Sequence, residues 1–326
     1  MSFKKIILPI IRIFIGLVFI ASAITKYISI EAFDMFVFEH ELFSWNFTNF
    51  LTRILISCEA CLGLMLIIGI YPKLSRWLAV GTLSFFTIYV LLKPLLFQVD
   101  AENCHCFGEV LILSDSQTII KNIVLLVLCI ALFFDKGWKV RYSKLIFVLC
   151  LLAPLATSFI VRPPDVIVNR LYGKQAQLNM ESFEKLISLE QIEELRISQG
   201  KKVLCLYSTG CKHCKRTAIK LDVMIKRHNL DKSKFGVVFW GKEEGIDLFY
   251  KDTSVEKLPT TQVPPLLFLS ATNGRQPIIV LLENGKVVDL FKSINIDEEK
   301  ITDFFLKIFF YFWKAFNKPS KIRFFH

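Results

Sequence analysis

Two short thiol motifs hold the residues best suited to chemistry. The first is Cys211-Lys212-His213-Cys214, between a short apolar run at 203–207 and an amphipathic stretch reaching about His228. Two cysteines separated by two residues at a helix start place the first sulfur near unpaired backbone N–H groups and the positive end of the helix dipole. Both stabilise a thiolate, so Cys211 is the expected nucleophile toward a partner disulfide and Cys214 the resolving thiol. His213 and Lys212 add positive character between them. The competing readings are a static disulfide and half of a zinc site. Zinc needs a second ligand pair at suitable spacing, and no second CxxC or HxxxH follows. Cys205, on the preceding run, reads as a small buried apolar residue. His228 suits a helix C-terminus.

The second motif is Asn103-Cys104-His105-Cys106-Phe107-Gly108. Two cysteines one residue apart close only a small strained ring, or pair elsewhere, and strained disulfides exchange readily. Cys104, His105 and Cys106 also make a set that suits Cu(I). Redox exchange, metal handling and a static disulfide all stay open, with redox preferred and no metal assigned. Glu59 stands inside an apolar run, where a carboxylate is costly and by default functional or paired. Lys26 and Arg12 are candidate partners, and Arg53 a looser one. Cys58 and Cys61 flank Glu59 at a spacing that does not favour a disulfide along one helix, so they read first as packing residues and second as a relay pair.

These motifs need a membrane around them. The chain has 326 residues, of which 53% are hydrophobic and 21% charged. Its mean hydropathy of +0.48 excludes a wholly cytosolic globular protein and a disordered one. Five runs are long enough to cross a bilayer: 6–24, 50–70, 77–97, about 118–134, and 145–161. Ala21-Ser22-Ala23 resembles a signal-peptide cleavage site, but the run continues to Lys26-Tyr27 and other spans follow, so it reads as a retained span. Lys4 and Lys5, then Lys73 and Arg76, then Lys136, Lys139, Arg141 and Lys144 occupy alternate loops and belong inside. The other loops carry acids, among them Asp34, Asp100 and Glu109, and belong outside. An odd number of spans puts everything after Arg162 outside, together with Cys104 and Cys106. The formal net charge of +11 then reflects topology, and no nucleic-acid partner is expected. There is no repeat of solenoid period.

From about 169 the pattern is that of a soluble α/β domain. A helix is expected over 182–197, strands at 203–207, 235–240, 278–282 and 286–291, an Asn284-Gly285 hairpin turn, and a last helix near Asp297. Residues 206–214 and 277–285, in this order of elements, resemble thioredoxin-like domains, and the resemblance covers roughly 181–310. It implies that Pro277 is a cis-proline facing the Cys211/Cys214 pair, with Pro264 or Pro265 as substitutes because 241–276 is longer than usual. A histidine before the second cysteine also occurs in strongly oxidising members of that superfamily.

Residues 16–26, Glu59 with its neighbours 58–64, and Cys104-His105-Cys106-Phe107-Gly108 resemble the DoxX and MauE-like membrane proteins over about 6–134. That family consists of four-helix membrane proteins tied to methylamine utilisation and to maturation of disulfide-bearing periplasmic enzymes, with a thioredoxin-like partner. Here that partner type looks fused. If Cys58 and Cys61 are a relay, the design resembles that of vitamin K epoxide reductase, in which a loop pair feeds an intramembrane pair beside a quinone.

The expected architecture is thus a membrane all-α bundle followed by an α/β thioredoxin-like domain. Its parts are a four-helix domain (1–142), a fifth span and linker (143–168), the thioredoxin-like domain (169–314) and a basic aromatic tail (315–326). The tail is expected to lie on the membrane surface. The expected function is a thiol–disulfide oxidoreductase of a bacterial inner membrane, with the α/β domain extracytoplasmic. It would exchange with extracytoplasmic client proteins through Cys211 and Cys214, with Cys104 and Cys106 relaying. The alternatives are a maturation scaffold without turnover and a Cu(I)-handling protein. No cofactor is assigned, a quinone being left open, and the direction of electron flow is not legible.

Overall fold

A computed structural model describes residues 4–96, 114–138, 140–173 and 176–305 of the chain. Cys104, Cys106 and the aromatic tail lie outside the described residues. The chain divides into two compact units, Met1–Ile167 and Val168–His326.

The first unit is helical: α1 (Lys4–Ile28), α2 (Ile30–Phe38), α3 (Trp45–Ile68), α4 (Pro72–Leu96), α5 (Asp115–Ala131) and α6 (Ser143–Val161). All but α2 are long and apolar enough to cross a membrane, α5 together with the helical turn Leu132–Phe134 that extends it, giving five candidate spans. Helices cross a bilayer because every backbone polar group is satisfied within the segment. α1 and α3 approach closely because glycines meet at their crossing. A Cβ added to Gly16 would lie 2.8 Å from the Gly63 carbonyl oxygen, and one added to Gly63 would lie 2.8 Å from that of Gly16. Small residues of this kind let helices pack where lipid removes the hydrophobic drive. α5 starts at a capping box: Ser114 Oγ accepts from Gln117 N at 3.2 Å, and Gln117 Oε1 accepts from Ser114 N at 3.0 Å.

The segment between the first two spans, where the sequence reading put Asp34 among the acids of a loop, is the short helix α2. Asp34 is buried, and its carboxylate accepts from Arg53 Nη1 at 2.6 Å on each oxygen and from Thr52. Arg53 is therefore not a partner of Glu59. Arg12 is also committed elsewhere: it donates to Asp135 at 2.8 Å and sits 4.4 Å from the Trp138 ring.

The second unit is mixed α/β. After α7 (Asp165–Tyr172) come α8 (Met180–Ile187) and α9 (Glu190–Glu193), then β1 (Lys201–Ser208), α10 (Lys212–Arg227), β2 (Phe235–Trp240) and α11 (Glu244–Thr253). β3 (Thr260–Gln262), α12 (Pro265–Ala271), β4 (Ile278–Glu283) and β5 (Lys286–Lys292) complete the named elements. Residues 298–305 are helical. The sheet order is β3-β2-β1-β4-β5, with β1, β2 and β3 parallel and β4 and β5 antiparallel. β1 is central and buried on both faces, hence its continuous apolar run. Leu204, Leu206, Val280 and Leu282 pack with Phe183 and Leu186 of α8 and Phe268 of α12. Tyr207, Phe239 and Phe249 pack together, with ring centroids 4.9–6.0 Å apart. Each such fully buried apolar side chain contributes about 1.5–3 kcal/mol.

Three details differ from the sequence reading. The helix expected over 182–197 breaks at Ser188, and Arg196 has φ +49°. Residues 265–271, to which that reading gave no element, form helix α12, opened by Pro265 at its first turn. The short strand β3 has no counterpart in that reading.

Candidate active site

Strand β1 delivers the chain into a tight turn, in which Cys211 N donates to Ser208 O at 3.2 Å. Cys211 is the N-cap of α10, with extended φ/ψ of −85° and 115°, and its sulfur accepts from Cys214 N at 3.3 Å. The thiol thus stands where a capping oxygen ordinarily would. One turn on, Cys214 is fully buried, and its sulfur accepts from Ser208 N at 3.4 Å. Cys211 is partly exposed, and His213 and Lys212 are exposed beside it.

The two thiols are driven apart electrostatically. The Cys214 thiol hydrogen-bonds Cys211 and pulls its pKa down to about 6 against the opposing effect of burial. The backbone N–H groups of Cys214 and His213 and the charge of His213 add to this lowering. Burial, and then the hydrogen bond to Cys211, push the Cys214 thiol far up. One thiol is partly exposed and favoured as the thiolate near neutral pH, and the other is buried and held protonated, as a nucleophile and a resolving thiol require. Cys205, fully buried on β1, is pushed up to about 12 by burial, against a smaller lowering by its hydrogen bond with Tyr207, and carries no nucleophilic character.

The Gln276–Pro277 peptide is cis, and Pro264 and Pro265 are not. Ile278 pairs with Leu206 in the antiparallel β1/β4 ladder. Continuing that register puts Pro277 level with Tyr207, at the end of the sheet from which the chain enters Thr209–Cys211. Gln276 is held by Trp240 Nε1, which donates to its Oε1 at 3.2 Å. Sequence reading passed over Trp240 and Gln276, and also the glycines that seat the turn. A Cβ on Gly241 would come within 2.3 Å of Thr209 Oγ1, and one on Gly245 within 2.8 Å. Gly241 also has φ +138°. The cue was present in Gly241, directly after an apolar strand.

All seven cysteines among the described residues are free, and no group of three or more His, Cys, Asp or Glu among them could hold a metal ion. In the helical unit, Glu59 pairs with Lys26: Nζ donates to Glu59 Oε2 at 2.6 Å and to Ser22 Oγ at 3.1 Å. Cys61 is buried with Cys150 in one apolar cluster, whereas Cys58 is exposed on the helix surface. Ser57 with Ser158, at 3.1 Å, and Arg53 Nε with Arg162 O, also at 3.1 Å, set the antiparallel register of α3 on α6. That register puts Cys150 level with Met65, one turn from Cys61. His228 and Arg227 close α10 by bonding Glu298 at 2.8 and 2.6 Å.

Against known proteins, residues 4–135 match the family model described as "Methylamine utilisation protein MauE". Protein TlpB of Flavobacterium psychrophilum is 27% identical over 337 aligned positions, covering 87% of this chain and 91% of that protein. No solved structure matches the chain.

Proposed function

The N-terminal half carries a DoxX/MauE-family domain within a multi-pass membrane protein, and from this premise we propose that the chain is a membrane-anchored thiol–disulfide oxidoreductase. The α/β unit is read as a thioredoxin-like module. The sheet order, the CKHC tip of α10 and the cis peptide before β4 support that reading. The observation that carries the function is the asymmetric thiol pair, a low-pKa Cys211 at a helix N-terminus over a buried, protonated Cys214.

The chemistry proceeds in two exchanges. The Cys211 thiolate attacks one sulfur of a client disulfide, forms a Cys211–client bond and expels the other client sulfur as a thiolate. Cys214 loses its proton, attacks Cys211 and releases the second client sulfur, leaving a Cys211–Cys214 disulfide and a reduced client. The reverse sequence oxidises a client dithiol. Cys104 and Cys106, on the sequence-based topology outside with the α/β unit, are assigned the role of exchanging with this pair. The location is a bacterial inner membrane. The alternating basic loops and the span count support the outward placement of the module.

The test is a Cys214→Ser chain expressed in a cell that makes the protein. A mixed disulfide held at Cys211, released by reductant and absent from Cys211→Ser/Cys214→Ser, is the expected result. Absence of any trapped partner, with client maturation unchanged by Cys211→Ser, would point instead to a scaffold.

A further inference from the structure

Helix α7 begins four residues after Val161, the last residue of the span α6, and none of its residues is buried. Eight residues are too few for a helix to persist in water by itself, so one face of α7 needs a partner. The sequence supplies that face. At 3.6 residues per turn, Ile167, Val168, Leu171 and Tyr172 fall within one arc of about 140°, and Asp165, Val166, Asn169 and Arg170 fall outside it. Leu171 is 66% exposed and Tyr172 79%, side by side on that face.

Hydrogen bonds to α3 fix the depth at which α7 starts. Trp45 Nε1 donates to Asp165 Oδ2 at 2.9 Å, and Asp165 N donates to Asn49 Oδ1 at 3.3 Å. α3 has 24 residues and is therefore about 36 Å long, against a hydrocarbon layer of about 30 Å. Asn49 lies about 6 Å along the axis from the first residue of α3, so α7 starts near the edge of that layer. The side chains at this end have the character of a membrane interface. Phe43 and Phe47 are exposed, with ring centroids 5.1 Å apart, and flank Trp45 in the chain. Arg162 and Arg170, both exposed, bracket the start of α7 with charge that matches anionic lipid headgroups.

We infer that α7 is an interfacial helix, lying along the headgroup boundary at the end of the bundle where α3 starts and α6 ends. Its apolar face rests on the acyl chains, and Arg170 reaches the lipid phosphates. The partner of this face is the bilayer itself. The inference stands on the membrane spans and does not depend on the thiol chemistry.

The test encodes a fluorescent amino acid in the full chain at Leu171, at Tyr172 or, on the opposite face, at Asn169, with folding checked by circular dichroism. If one apolar-face position unfolds the chain, the other carries the test. Each chain is placed in nanodiscs of phosphatidylcholine and phosphatidylglycerol that bear a nitroxide either near the headgroup or near the end of the acyl chain. The expected result is quenching at 171 and 172 by the shallow nitroxide, about twofold or more above that by the deep one and above that at 169, as a helix sunk about 5–10 Å requires. Iodide in the water should quench 169 most. Iodide quenching at 171 and 172 equal to that at 169, with no effect of either nitroxide, would overturn the inference, because the face then meets water. Protection of 171 and 172 from iodide and from both nitroxides would overturn it too, because protein then covers the face. So would stronger quenching by the deep nitroxide, which would bury α7 as part of a span.

Discussion

The reactivity of Cys211 should follow a titration centred near pH 6, roughly three units below an ordinary thiol. At pH 7 such a sulfur is about nine-tenths thiolate, against about one-hundredth for an unperturbed one, a gain of roughly ninetyfold in the reactive species. Lower basicity takes part of this back, because nucleophilicity falls by about 0.4–0.5 log units per pKa unit, or roughly fifteen- to thirtyfold here. The net expectation is an alkylation rate at pH 7 about three- to sixfold above that of a free cysteine. The assay is iodoacetamide alkylation of the reduced chain across pH, with modification at Cys211 followed by peptide mass spectrometry. Cys214→Ala should move the midpoint upward, because the Cys214 thiol is the largest single cause of the lowering. The stability of the reduced form carries the same signature. Cys211 has a depressed folded pKa, so its contribution is complete above the ordinary thiol value and fades as pH falls toward about 6. Because thiolate stabilisation favours the reduced form, it also makes the disulfide a better oxidant. A midpoint near the ordinary thiol value, unmoved in Cys214→Ala, would refute the reasoning.

Three further outcomes are expected. Gly241→Ala should destabilise the α/β unit by about 1–3 kcal/mol, because its Cβ falls 2.3 Å from Thr209 Oγ1 on a left-handed backbone; denaturant unfolding measures it. Asp34→Asn leaves the buried Arg53 without its counter-charge and should cost about 3–5 kcal/mol, much of it recovered in Asp34→Asn/Arg53→Met; thermal unfolding in detergent reads both. Cys205→Val should change stability by less than about 1.5 kcal/mol and leave the Cys211 alkylation profile in place, since Cys205 is a buried packing residue with a raised thiol pKa.

The sequence by itself determined the elements that form from local pattern. Five long apolar runs needed no partner to be recognised, because length and hydropathy suffice to define a candidate span. The strand at 235–240, the Asn284-Gly285 turn between β4 and β5, and the helix after Cys211 were legible from periodicity and turn chemistry. Where acids and bases share a bundle, however, only tertiary structure decides who pairs with whom. Arg53 turned to Asp34 on a helix that the sequence presented as a loop, and Lys26 was left for Glu59. β3 stayed hidden because three half-buried residues carry no period, and it exists only through its ladder with β2. The cysteines make the same point. Spacing alone puts Cys211 at a helix N-terminus, where N–H groups favour a thiolate, but packing of α10 on the sheet removes Cys214 from water and so separates the two otherwise identical thiols.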